Sequence, residues 1–211
     1  MNTQSYILFF LAGLLAIVDW WAVYSERLGL ERIAKPATLA ALTVGAALIY
    51  GPRPTVQVLV VLGLAFGLLG DIFLLGPKEK FLQGLASFLV GHLAYVVTFV
   101  LMGAHGGSLI VGLTATVIGL ASIGTKVARS VKANHNNLFI PVVVYELVIA
   151  IMVIRAIGTT NPFAISGSLL FALSDGILAY NKFVAPLPRA RLVVIVSYHL
   201  GQAGIALSLV R

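Results

Sequence analysis

The feature that most constrains this chain is how little interrupts it: apolar runs of about twenty residues follow one another almost from end to end, separated by short polar breaks. A run of that length crosses the roughly 30 Å hydrocarbon layer as a helix. In lipid every backbone N–H and C=O must be paired internally, which leaves helices or a closed barrel. The runs here are continuous rather than alternating, so helices are expected. Composition agrees. Of 211 residues, 60% are hydrophobic and only 10% are charged, too few to cover a water-facing surface. The expected fold class is an all-α polytopic membrane bundle of about eight transmembrane helices, forming one domain over residues 1–211.

The spans are expected at 5–24, 33–50, 54–75, 80–102, 108–126, 138–157, 162–180 and 190–210. Turn chemistry marks the breaks: Gly51-Pro52-Arg53-Pro54, Gly76-Pro77-Lys78-Glu79-Lys80, His105-Gly106-Gly107 and Asn161-Pro162. The first run lacks a basic leader and a small-residue cleavage pattern, so it reads as a span and not a removable signal.

The net charge of +7 follows the same scheme. Odd-numbered loops carry Arg27, Arg32 and Lys35; Lys78 and Lys80; Lys126, Arg129 and Lys132; and Lys182, Arg189 and Arg191. Of the 14 basic residues, only Arg53, Arg155 and Arg211 lie on the other side. Cytoplasmic loops are the positive ones, so both termini are expected outside. No basic stripe with interleaved aromatics exists, which argues against nucleic acid. Without cysteine, disulfides, thiol nucleophiles and Cys-ligated zinc are excluded. Compact loops and the lack of cysteine suit a bacterial inner membrane.

A weak repeat runs through the chain. Pro36 and Pro141, Asp71 and Asp175, and His92 and His199 recur at near-constant offsets in equivalent spans. Spans 1–4 and 5–8 are then candidate parallel copies.

Few acids are present, and Asp19, Asp71, Glu146 and Asp175 fall inside spans. A charged group there costs at least ~2.5–3.5 kcal/mol, which makes each a functional-site candidate. With alternating spans, all four lie between the midplane and the inner surface, beside His92, Tyr95, Tyr198, His199 and Gln202. Asp19 has a plainer reading, as a cap on span 1 near Arg27. Asp71 and Asp175 follow the small residues Gly70 and Ser174, which permit close approach. Two carboxyl groups sharing a low-dielectric site do not both ionise readily, so one serves as acid beside a basic partner. No Gly-x-Ser-x-Gly, His-Glu-x-x-His or Walker motif occurs.

Ordered motifs carry a resemblance. Gly70-Asp71-Ile72-Phe73-Leu74-Leu75, Phe81, Gly84, Phe88 and Gly91-His92-Leu93-Ala94-Tyr95 resemble the first signature of the YhhN/TMEM86 family. Lys35-Pro36, and Pro141 with Tyr145, also match. Phe171 to Ala179, containing Ser174-Asp175-Gly176, is similar to its second aspartate motif, and Tyr198 with Gln202 to its last. His199 departs from the aromatic residue that commonly follows the motif tyrosine. The resemblance implies an eight-span lysoplasmalogenase. Such an enzyme hydrolyses the vinyl ether of an alkenyl-glycerophosphoethanolamine or -choline to a fatty aldehyde and a glycerophospho-alcohol. It implies Asp71 and Asp175 as the catalytic pair, with no metal and no organic cofactor. Lys35, His92, Tyr95, Tyr145, Glu146, Ser174, Tyr198, His199 and Gln202 would surround substrate and water, Lys35 meeting the lipid phosphate. The expected partners are a lysophospholipid and the bilayer. Two other classes fit the intramembrane acids: a proton-coupled transporter, and a metal-dependent lipid hydrolase using His92, His199 and an aspartate.

Overall fold

The computed structural model describes residues 1–49, 51–76 and 80–210. Among them run eight long helices: α1 (Thr3–Tyr24), α2 (Leu28–Ala47), α3 (Pro54–Leu75), α4 (Phe81–Met102), α5 (Gly106–Asn134), α6 (Asn136–Gly158), α7 (Pro162–Phe183) and α8 (Ala190–Leu207). All but α2 are long and apolar enough to cross a membrane. The chain is a multi-pass integral membrane protein. The helix α2 falls short because Glu31, Arg32 and Lys35 lie within it.

Local chemistry sets the helix starts. The Asn2 side chain accepts from Ser5 N–H at 2.8 Å, and Asn161 accepts from Phe163 and Ala164 N–H. Pro54 and Pro162 occupy first-turn positions where no donor is needed. Cross-links between helix ends fix an alternating direction. Arg32 at the start of α2 donates to the Leu75 carbonyl at the end of α3. Arg191, opening α8, pairs with Glu31 at 2.6 Å. Ser130 near the end of α5 donates to the Phe183 carbonyl ending α7. At the opposite end Asn161 reaches the Ser208 carbonyl. The described basic residues other than Arg53 and Arg155 therefore gather at one end, called here the basic end. Lys78, Glu79 and Arg211 lie outside the described residues.

Two hairpins pack most closely, α3 with α4 and α7 with α8. Glycine permits both. A Cβ on Gly91 would stand 3.0 Å from the Gly63 carbonyl oxygen, and one on Gly201 would stand 2.9 Å from Phe171 N. Such close backbone approach substitutes for the hydrophobic drive that lipid does not provide.

Three expectations are corrected. The helix α2 begins at Leu28 rather than 33, since Glu31 suits a first turn and is held by Arg191. The fifth helix runs to Asn134 rather than 126, so Lys126, Arg129 and Lys132 sit on helix and not in a loop. Fully buried Val127 and Val131, packed with Val142 and Phe183, hold that extension. Within the same helix, Leu120–Gly124 forms a π-turn that no residue of the sequence announces. Asp19 does not cap α1 beside Arg27. It is fully buried, with Oδ2 3.9 Å from His199 Nε2, while Arg27 lies over the Trp21 ring.

Candidate active site

The helix α2 carries Lys35 and α3 carries Asp71 on faces that meet α8. Lys35 Nζ stands 2.8 Å from Asp71 Oδ1. Tyr198, from the middle of α8, donates its hydroxyl to Asp71 Oδ2 at 2.8 Å. Each carboxylate oxygen thus has one donor, and Asp71 is completely buried. Lys35 Nζ also lies 5.1 Å from the Tyr198 ring centroid. Three helices converge on this carboxylate, so its charge is balanced where water cannot reach.

The second aspartate has a different setting. Asp175, on α7, receives the Tyr145 hydroxyl at 2.6 Å on Oδ2 and is half-buried. It lines a cavity of about 340 Å³ enclosed by α2 to α8. Lys35, Tyr145, Tyr198 and Glu146 share that lining, together with many apolar side chains. Asp71 does not touch the cavity itself. It stands one side chain behind it, reached through Tyr198 and Lys35.

The cavity has a polar middle and apolar limbs. Val153 and Leu169 line the limb away from the basic end; Phe81, Lys182 and Phe183 line the basic end. It also opens sideways between α5 and α7, where the lining residues Ile123, Leu169, Leu173 and Leu178 are exposed on the surface that meets lipid. Gly119 and Gly176 border the opening with nothing near a would-be Cβ. Glu146 stands at the π-turn, with Oε2 3.5 Å from where a Gly124 Cβ would be.

The other expected residues divide by role. Tyr95 donates to Gln202 Oε1 at 2.6 Å, joining α4 to α8 deep in the core. Ser174 donates to the Val194 carbonyl and fixes the register of α7 on α8 beside Asp175. His92 is held among rings, 4.5 Å from Phe171 and 5.3 Å from Tyr145 by centroids. His199 turns the other way, towards α1, where Trp20 donates to its Nδ1 at 3.1 Å. Among the described residues no three His, Asp or Glu side chains converge as ion ligands, so the expected zinc alternative through His92 and His199 does not form. Two participants were not expected: Trp20, and the cavity-lining Lys182. The position of Lys182, seven residues after Asp175 on one helix, was the available signal.

Comparison with known families matches residues 30–209 to the YhhN family. Among curated proteins, the chain is similar to lysoplasmalogenase TMEM86B of Homo sapiens, 33% identical over 67% of this chain and 59% of that protein. The Sus scrofa protein of that name is 36% identical over 66% of this chain and 58% of its own length. Lysoplasmalogenase TMEM86A of Bos taurus is 30% identical over 72% and 65%. The chain spans less than two thirds of each of these relatives. No solved structure matches.

Proposed function

The chain belongs to the YhhN family, and on that premise we propose that it is an ether hydrolase that cleaves the vinyl ether of a lysoplasmalogen to a fatty aldehyde and a glycerophospho-alcohol. The observation that carries the reading is the pairing of one cavity-facing aspartate with one sealed, cation-paired aspartate beside an apolar, laterally open cavity. The names of the curated relatives support the reaction class. A single-chain lipid fits such a cavity, and the gap between α5 and α7 gives its tail a route from the bilayer.

The roles follow from what each carboxyl group touches. Asp175 faces the cavity and carries the proton, which it delivers to the alkenyl carbon distant from the ether oxygen. The C=C bond becomes a C–C bond and an oxocarbenium ion forms at the adjacent carbon. The Asp175 carboxylate left behind stabilises that cation. Water adds to the cationic carbon and gives up one proton to the Asp175 carboxylate, which restores the acid. The resulting hemiacetal breaks its C–O bond, transferring its hydroxyl proton to the departing alkoxide oxygen. Aldehyde and alcohol leave, and Asp175 is protonated again. Lys35 and Tyr198 hold Asp71 in place, so Asp71 positions the hydroxyl that meets the water. Both termini face outward in this proposal, with the basic end in the cytoplasm. A bacterial inner membrane is the proposed location.

The test is aldehyde release from a synthetic lysoplasmalogen by the detergent-purified chain. Stoichiometric aldehyde and glycerophospho-alcohol support the reading. Intact substrate in the presence of a folded protein overturns it.

A further inference from the structure

Three carboxyl groups bear on the cavity, and they differ in how much of each is free. Asp71 has a donor on both oxygens and stands behind the lining. Asp175 lines the cavity with its Oδ2 held by the Tyr145 hydroxyl. Glu146 also lines it, and among the described residues neither of its oxygens meets a cation or a hydrogen-bond donor. A carboxyl group without a partner is costly to keep in a membrane span, and the reaction steps above leave this one without a task. The helix α6 sends consecutive residues to different walls. Tyr145 reaches Asp175 on α7, and Glu146, about 100° further round, reaches α5, where its Oε2 lies 3.5 Å from the position of a Gly124 Cβ. That wall is the π-turn, whose Leu120, Ile123 and Gly124 line the cavity; such turns inside helices occur frequently at functional sites. Counted along their helices from the basic end, Asp175 lies roughly 12 Å deep and Glu146 roughly 15 Å, less than one turn apart. A guest entering between α5 and α7 therefore has one carboxyl group on each side of it.

One step of the reaction calls for such a group. The hemiacetal must move its hydroxyl proton to the departing ether oxygen, and both oxygens are bound to the same carbon. Direct transfer closes a four-membered ring, with an O–H···O angle far below the roughly 150° or more that a hydrogen bond prefers. A protonated carboxyl group spans the two oxygens, its O–H donating to one while its C=O accepts from the other. It needs both of its own oxygens free, a condition that Asp71 and Asp175 do not meet. Resting on the function proposed above, we propose that Glu146 is a second catalytic acid, the one that collapses the hemiacetal. Its hydroxyl gives a proton to the ether oxygen as the C–O bond breaks. Its carbonyl oxygen takes the hemiacetal hydroxyl proton as the new C=O bond forms. The carboxyl group ends protonated as it began, with its two oxygens exchanged in role, so no other reactant is consumed. Asp175 makes the hemiacetal and Glu146 breaks it.

The test separates the two halves of one turnover. Full-length protein in detergent, in excess over a synthetic lysoplasmalogen, is followed by stopped flow. Loss of the alkenyl bond is read by ultraviolet absorbance, and free aldehyde by its coupled oxidation. In wild type the two traces should coincide. Glu146→Gln keeps the shape and removes the acid. It should lose the alkenyl bond within about three-fold of the wild-type rate, while aldehyde lags by about a hundred-fold. In the steady state KM should change little, and kcat should fall with the aldehyde trace. In Glu146→Ala, formate should shorten the lag, because it is a carboxyl compound small enough for the space vacated; sodium chloride at equal concentration should not. Both traces slowed together in Glu146→Gln, or no lag at all, overturns the proposal and leaves the reaction standing. So does a lag that formate leaves unchanged. An alkenyl bond left intact by wild type overturns the reaction itself, and the proposal falls with it.

Discussion

The hairpins α3–α4 and α7–α8 are built alike and have been put to different uses. Each brings two helices together over glycine, and each carries an aspartate in the second half of its first helix, the half nearer the basic end. Yet Asp71 is sealed, with a lysine and a tyrosine on its two oxygens, whereas Asp175 meets the cavity with a tyrosine behind it. The difference comes from the neighbouring helices. Lys35 precedes Pro36 in α2; the residue preceding Pro141 in α6 is Ile140, 69% exposed and turned away from Asp175. The helix α6 supplies Tyr145 instead. Similar hairpins thus give one carboxylate that is electrically balanced and one that faces a guest. A repeat in sequence need not mean a repeat in chemistry.

The sharpest way to break this comparison is to remove one acid at a time. Asp175→Asn should lower turnover by about a thousand-fold or more, since it removes the proton donor that meets the substrate. Its melting temperature should stay near that of wild type; aldehyde release within ten-fold of wild type would end the assignment. The next largest effect is on stability. Lys35→Met leaves a buried carboxylate without its cation and should cost about 3–5 kcal/mol, with the double variant Lys35→Met/Asp71→Asn recovering most of the loss. Thermal unfolding in detergent checks this, and a double variant no more stable than the single would show that the pair does not act as a unit. Tyr198→Phe should reduce kcat by roughly ten- to a hundred-fold with little change in KM, because it cuts the link from Asp71 to the cavity. A change confined to KM would make Tyr198 a packing residue. The smallest effect tests the shared frame. Gly201→Val should destabilise by about 1–3 kcal/mol through overpacking on Phe171. Gly176→Ala, in open space, should be close to neutral.

Much of this was legible in the sequence because lipid leaves few choices. Apolar runs of span length marked every helix but α2, whose first turns carry Glu31, Arg32 and Lys35, and an aspartate placed within such a run had to face a polar interior. The convergence of Asp71, Tyr198 and Lys35, and of Asp175 and Tyr145, follows from that pressure. Three things were not legible. The π-turn at Leu120–Gly124 is one, since no proline marks it. The tail of α5 looked like a loop because Lys126, Arg129 and Lys132 dominate its composition; only the buried spacing of Val127 and Val131 betrays a helix. The separation of His199 from Asp71 and Asp175, and its place beside Asp19, could not be read from its neighbour Tyr198. Adjacent residues on a helix point about 100° apart, and Trp20 captured the imidazole.

The central claim is that a cavity acid protonates carbon to open a vinyl ether. Hydrolysis of synthetic lysoplasmalogen by the wild-type chain in heavy water, with the aldehyde trapped as it forms, tests it directly. The expected product carries one deuterium on the carbon next to the carbonyl. Aldehyde without deuterium at that carbon would contradict protonation there, and no aldehyde at all would contradict the reaction.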